Sequence, residues 1–130
     1  MASEIEDAGG GTGNTNSVAF EVQNLNNCIA MPNFTIKMRQ TTLTDLTTTF
    51  EVGDYTTVFT STEYMPVAGW NTHTFTAPFA WDGTSNIIVD IITTLIPVAY
   101  TQNASVFYTP TTFQSSLRYQ NDTLDRKSVV

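Results

Sequence analysis

Charge is what this chain has least of. Only 13% of its 130 residues are Asp, Glu, Lys or Arg, against roughly 25% in an ordinary globular domain. Five are basic and twelve acidic, for a net charge of −7. A phosphate backbone needs clustered cations, and Lys37, Arg39, Arg118, Arg126 and Lys127 are all this chain has. Nucleic acid is therefore not expected as a partner. A single cysteine, Cys28, leaves no internal disulfide. It sits in the apolar run Cys28-Ile29-Ala30-Met31 and reads as a buried, inert thiol. Long hydrophobic runs are missing too. The most apolar stretch, residues 87–100, holds Asp90 and Pro97 and is too short to span a bilayer, so no membrane insertion is expected. The opening Met1-Ala2-Ser3-Glu4 has neither the basic start nor the apolar stretch of a signal peptide. Either the protein is intracellular or it is one domain cut from a larger exported polypeptide, and the Gly-rich start favours the second expectation.

Threonine and asparagine fill the space, with 24 and 10 copies. Thr is β-branched and suits a pleated, half-buried surface, so composition already points to an all-β domain. Four of the seven glycines fall in Gly9-Gly10-Gly11 and Gly13. Residues 1–16 read as a flexible Gly-rich N-terminal linker, because neither a Lys nor a helix signal follows to make a phosphate loop. Residues 17–130 read as a single β-sandwich domain.

Within that domain, period-2 patterns alternate with turn signals. Val18 and Phe20 share one face. Phe34, Ile36 and Met38 share another, opposite Thr35, Lys37 and Arg39, which predicts a half-buried antiparallel strand. The Thr-rich residues 41–49 predict a loop or polar edge strand. Further strands are expected at 50–52 and 55–60 around a Gly53-Asp54 turn, and at 70–77. A corner is expected over 78–86, built on the turn pair Asp82-Gly83. Residues 86–93 are apolar except for Asp90 and read as a strand buried on both faces. Short strands are expected at 105–108, 115–120 and 127–130. Eight to ten such strands make a two-sheet antiparallel β-sandwich, of jelly-roll or immunoglobulin-like type.

Asn33-Phe34-Thr35-Ile36-Lys37-Met38, Gly69-Trp70-Asn71-Thr72-His73-Thr74-Phe75 and Pro78-Phe79-Ala80-Trp81-Asp82-Gly83-Thr84-Ser85-Asn86 together resemble a known module. So do Asn103 to Tyr108 and Phe113 to Leu117. It is a β-rich domain of very large exported proteins of Bacteroidota, including type IX-secreted, gliding-adhesin-like surface polypeptides. The resemblance spans roughly residues 17–121. It implies an extracellular location and a module that accompanies adhesion, filament building or carbohydrate-active enzymes, and it brings no catalytic residues.

The residues themselves offer few chemical constellations. His73 is the only histidine, and there is no G-x-S-x-G elbow, so it reads as structural or surface. Asp82, Asp90 and Glu63 are the candidate carboxylates for sugar hydrolysis, and nothing in their spacing brings them together. Calcium suits the oxygen-rich set better than zinc, with Asp82, Asn86 and Asp90 as candidate ligands of a structural ion. Apart from that ion no cofactor is expected. Asp90 interrupts an apolar strand and must be hydrogen-bonded, bind a cation or face solvent. Trp70, with Tyr64 and Asn71, forms the candidate carbohydrate-binding set, because flat rings stack on sugars. Trp81 reads as a corner anchor. Asn33, Asn103 and Asn121 match N-glycosylation acceptors, and Asp122-Thr123-Leu124 resembles a bacterial O-glycosylation signal.

The expectation is a non-enzymatic extracellular module of a larger cell-surface or secreted protein, serving adhesion, assembly or structural spacing. Its expected partners are neighbouring modules, other surface proteins or glycans. The alternative is a carbohydrate-binding module with exposed aromatics.

Overall fold

The computed structural model describes residues 1–94, 103–120 and 124–130. Pro97, Asn121, Asp122 and Thr123, named above, lie outside the described residues. Among the described residues, a short helix α1 (Ala2–Asp7) precedes eight strands: β1 (Gly13–Asn24), β2 (Met31–Thr41), β3 (Thr56–Tyr64), β4 (Gly69–Trp81), β5 (Asn86–Thr94), β6 (Ser105–Val106), β7 (Ser116–Gln120) and β8 (Leu124–Val129). They form two antiparallel sheets, ordered β4-β1-β6 and β3-β2-β5-β8-β7. The expected all-β two-sheet sandwich is the fold.

The core lies where the sequence alternation places it. Phe34, Ile36 and Met38 pack with Val58, Phe75 and Phe79, and Val18, Phe20, Val89 and Ile91 flank them. Register makes these faces meet, since Ile36 stands opposite Ile91 and Met38 opposite Val89. A one-residue slip would turn this whole set outward, so the hydrophobic pattern selects the pairing.

Several element boundaries differ from expectation, each for a local reason. The first sheet begins at Gly13, four residues inside the Gly-rich stretch, and α1 is held by the Ala2 amide donating to Asn86 Oδ1 at 2.8 Å. The expected corner at 78–81 is strand. β1 pairs with β4 on both sides of an irregularity: Thr15 faces Phe79, Ser17 faces Thr74, and residues 75–78 of β4 bulge between them. Pro78 has no amide proton for the ladder, so it sits in this bulge on an edge strand. The turn proper is short. Gly83 takes φ +85°, and a Cβ there would collide with Thr12 Oγ1.

Residues 50–52 are not a strand. The chain from Thr42 to Tyr55 instead crosses the outer face of the five-stranded sheet. Leu46 is buried, and its amide donates to the Gln114 carbonyl at 2.7 Å. Asn86 Nδ2 donates to the Leu43 carbonyl at 2.7 Å, and Arg39 Nη1 donates to the Val52 carbonyl at 2.5 Å. This strap explains the two-sided burial of β5. Ile87, Val89 and Ile91 face the sandwich core, while Ile88 (0% exposed) and Asp90 (1%) lie on the opposite face beneath the strap. Cys28, expected to be buried, is half-buried.

Ile36→Ala removes three carbons at the middle of the core. It should cost roughly 2–5 kcal/mol in urea unfolding, whereas Val52→Ala on the exposed strap should change stability by less than about 0.5 kcal/mol.

Candidate functional site

Three polar sites emerge when the sequence-predicted residues are placed on the sandwich. The first is Asp90. Its carboxylate accepts from Arg126 Nε at 3.0 Å on both oxygens, from Arg126 Nη2 at 2.9 Å and from Ser128 Oγ at 2.9 Å. Ser128 is the cross-strand partner of Asp90, and Arg126 lies two residues before it on the same face of β8. The guanidinium is capped in turn by the Phe50 ring, 4.4 Å from its centroid. Of the three outcomes open to Asp90, hydrogen bonding is the one the fold adopts. Tyr55 closes the same region, and its phenol pKa is raised first by burial and then by the Asp90 carboxylate.

The other candidate calcium ligands have separate occupations. Asp82 caps its own turn: Oδ1 accepts the amides of Thr84 and Ser85 at 2.9 and 2.7 Å, and Oδ2 accepts Ser85 Oγ at 2.6 Å. The Ser85 hydroxyl and then its amide lower the Asp82 pKa to about 2. Asn86 is divided between the Leu43 carbonyl and the Ala2 amide. Among the described residues no three His, Cys, Asp or Glu side chains gather in a metal-sized cluster. Glu63, at the far end of β3, stands at the opposite end of the sandwich from Asp82. Trp81 anchors the corner through Nε1, which donates to the Ser85 carbonyl at 2.7 Å.

The second site is inside. Along β4, Asn71, His73 and Phe75 point inward, while Trp70, Thr72 and Thr74 point outward. His73 sits among the rings of Phe59, Tyr64, Phe34 and Phe20, with centroids 4.8, 5.0, 5.4 and 6.0 Å away. Burial pushes its pKa below 6.5. Tyr64 stacks on Phe34 at 4.5 Å and donates its hydroxyl to Asn71 Oδ1 at 2.7 Å. The Asn71 carboxamide also bonds the amide and carbonyl of Val67 and the carbonyl of Gly69. Tyr64 and Asn71 therefore brace the β3–β4 turn, and Trp70 stands apart from them on the outer surface.

The third site is that outer surface. Trp70 is 67% exposed and stands opposite Glu21 on β1. Val22 pairs with Val106, and the Phe107 amide donates to the Glu21 carbonyl at 3.0 Å, which carries Phe107 opposite Glu21. Phe107, one residue beyond β6, is 56% exposed. Sequence reasoning found Trp70 and missed Glu21 and Phe107, because β6 joins β1 across more than eighty residues of chain.

Exposed apolar side chains concentrate at this end of the sandwich. Ile29 follows β1, Met65 and Val67 lie in the β3–β4 turn, and Trp70 opens β4. Val106, Phe107 and Tyr108 lie beside the end of β1. No family model, no curated protein and no solved structure matches this chain. Among the described residues no helix is long and apolar enough to cross a membrane.

Two outcomes follow from the buried groups. Asp90→Ala should cost about 3–5 kcal/mol in urea unfolding by stranding the Arg126 charge, and Asp90→Leu combined with Arg126→Met should recover most of that loss. The unfolded chain binds a proton at His73 more tightly than the fold does. The neutral ring therefore contributes stability that is complete above pH 6.5 and is lost as pH falls below it. Urea midpoints of the parent should drop between pH 7.5 and 5, and His73→Phe should flatten that part of the profile.

Proposed function

We propose that this chain is a non-enzymatic adhesion or assembly module of a larger cell-surface or secreted protein, and that it works through the apolar end of its sandwich. The observation that carries this reading is the clustering there of Ile29, Met65, Val67, Trp70, Val106, Phe107 and Tyr108. A monomeric domain seldom exposes so many large apolar groups together unless they meet a partner. The titratable groups have structural occupations that suit such a role. Asp90 is neutralised by Arg126, Asp82 caps a turn, and His73 is enclosed by rings. The resemblance to modules of type IX-secreted surface proteins of Bacteroidota fits an extracellular setting.

Trp70 also favours a second reading, as a carbohydrate-binding module, since a ring so exposed is available for sugar stacking. Tyr64 and Asn71 play no part in that version, being bonded to each other inside the turn.

Beads coated with the domain should attach to a cell surface. Beads coated with the triple variant Val67→Ser, Trp70→Ala, Phe107→Ser should lose most of that attachment at unchanged circular dichroism. Equal attachment by both would rule out the apolar end. A glycan array probed with and without calcium decides between the two readings, because ring-dependent glycan binding would favour the second.

A further inference from the structure

We propose that the row Trp70–Glu21–Phe107 is a receptor for a basic side chain, lysine or arginine, presented by a partner protein. The inference rests on the reading of the apolar end as a binding surface and names the chemistry that the surface selects. Trp70 and Glu21 are cross-strand partners, and on the other side of Glu21 the residue after β6, Phe107, donates its amide to the Glu21 carbonyl at 3.0 Å. Neighbouring strands are about 4.8 Å apart, so the backbone positions that carry Trp70 and Phe107 lie roughly 10 Å apart with that of Glu21 between them. That is room for one alkylammonium or guanidinium, flanked by ring faces and countered by the carboxylate below.

Charge distribution favours a cation over a neutral ligand. All five basic residues lie on the five-stranded sheet: Lys37 and Arg39 on β2, Arg118 on β7, Arg126 and Lys127 on β8. The three-stranded sheet has none. Among the described residues the Glu21 carboxylate has no ion-pair or hydrogen-bond partner. The outward neighbours of the row, Thr72 and Ala19, bring no positive charge to satisfy it.

The chain uses the same chemistry internally. Beneath the strap, the Arg126 guanidinium lies between the Phe50 ring at 4.4 Å and the Asp90 carboxylate at 2.9 Å. The outer row offers ring and carboxylate without the guanidinium. A second copy of this chain is poorly equipped to supply it: Lys37, Arg39, Arg126 and Lys127 are partly covered, and Arg118 is paired with Asp125. The occupant is therefore a basic residue of a different protein.

The test is isothermal titration of the intact domain with a short peptide carrying one Arg between valines, and with its Gln counterpart. The Arg peptide should bind and the Gln peptide should not. Binding should weaken as salt rises and should fall by roughly tenfold in Glu21→Gln and in Trp70→Ala. Trp70→Phe, which keeps a ring, should retain most of the affinity and so separates ring loss from misfolding. Equal binding of both peptides, an unaffected Glu21→Gln variant, or a neutral oligosaccharide binding in place of the peptide would each overturn the proposal. If neither peptide binds while coated beads still attach to cells, this inference falls and the adhesion reading stands. Failure of both assays removes the two together.

Discussion

A carboxylate with 1% exposure at the centre of a five-stranded sheet has to be neutralised where it stands. Asp90 meets that constraint by recruiting Arg126 and Ser128 from β8, the strand next to it. The pairing has consequences at three levels. It ties the C-terminal strand to the middle of the sheet. It also places a guanidinium where Phe50 can cap it, so the strap from Thr42 to Tyr55 gains a fixed seat on the outer face. With the strap seated, Ile88 of β5 and Leu46 of the strap itself are both buried.

The strap covers β5 on the outer face of one sheet, while the other sheet leaves the outer face of β4 open. Strand β4 divides its chemistry by alternation: Asn71 and His73 turn inward to brace the β3–β4 turn and the aromatic core, while Trp70 turns out beside Glu21. The β3–β4 turn, the start of β4 and the residues after β6 meet at one end of the sandwich, which is where the exposed apolar side chains gather. The cations lie on the opposite sheet, so this end offers rings and a carboxylate with no positive charge of its own. Shape and charge thus divide the molecule into a braced sheet that holds the cations and a sheet that exposes Trp70 beside Glu21.

Local pattern was a reliable guide wherever a single strand decides its own fate. Period-2 alternation named the core faces of Val18, Phe20, Phe34, Ile36 and Met38, and Asp82-Gly83 with Trp81 named the corner, because side-chain direction and turn chemistry are set within a few residues. The same rules misread Pro78 as the end of a strand. A bulge on an edge strand absorbs a missing amide proton, and edge position depends on which strands pair. They also misread residues 50–52 as a strand, since a strap that bonds to side chains has the same local composition as a ladder.

By itself, then, the sequence determined an all-β sandwich, a core drawn from alternating apolar positions, and a carboxylate at Asp90 that had to be hydrogen-bonded, bind a cation or face solvent. Which partner it found, and which aromatic rings reached the surface together, only the tertiary structure decided. Arg126 lies 36 residues from Asp90, and Phe107 reaches Glu21 from more than eighty residues away. Such meetings depend on strand order and register, which long-range pairing sets and no local pattern encodes. Trp70 was visible in the sequence as a candidate, and the fold supplied its company.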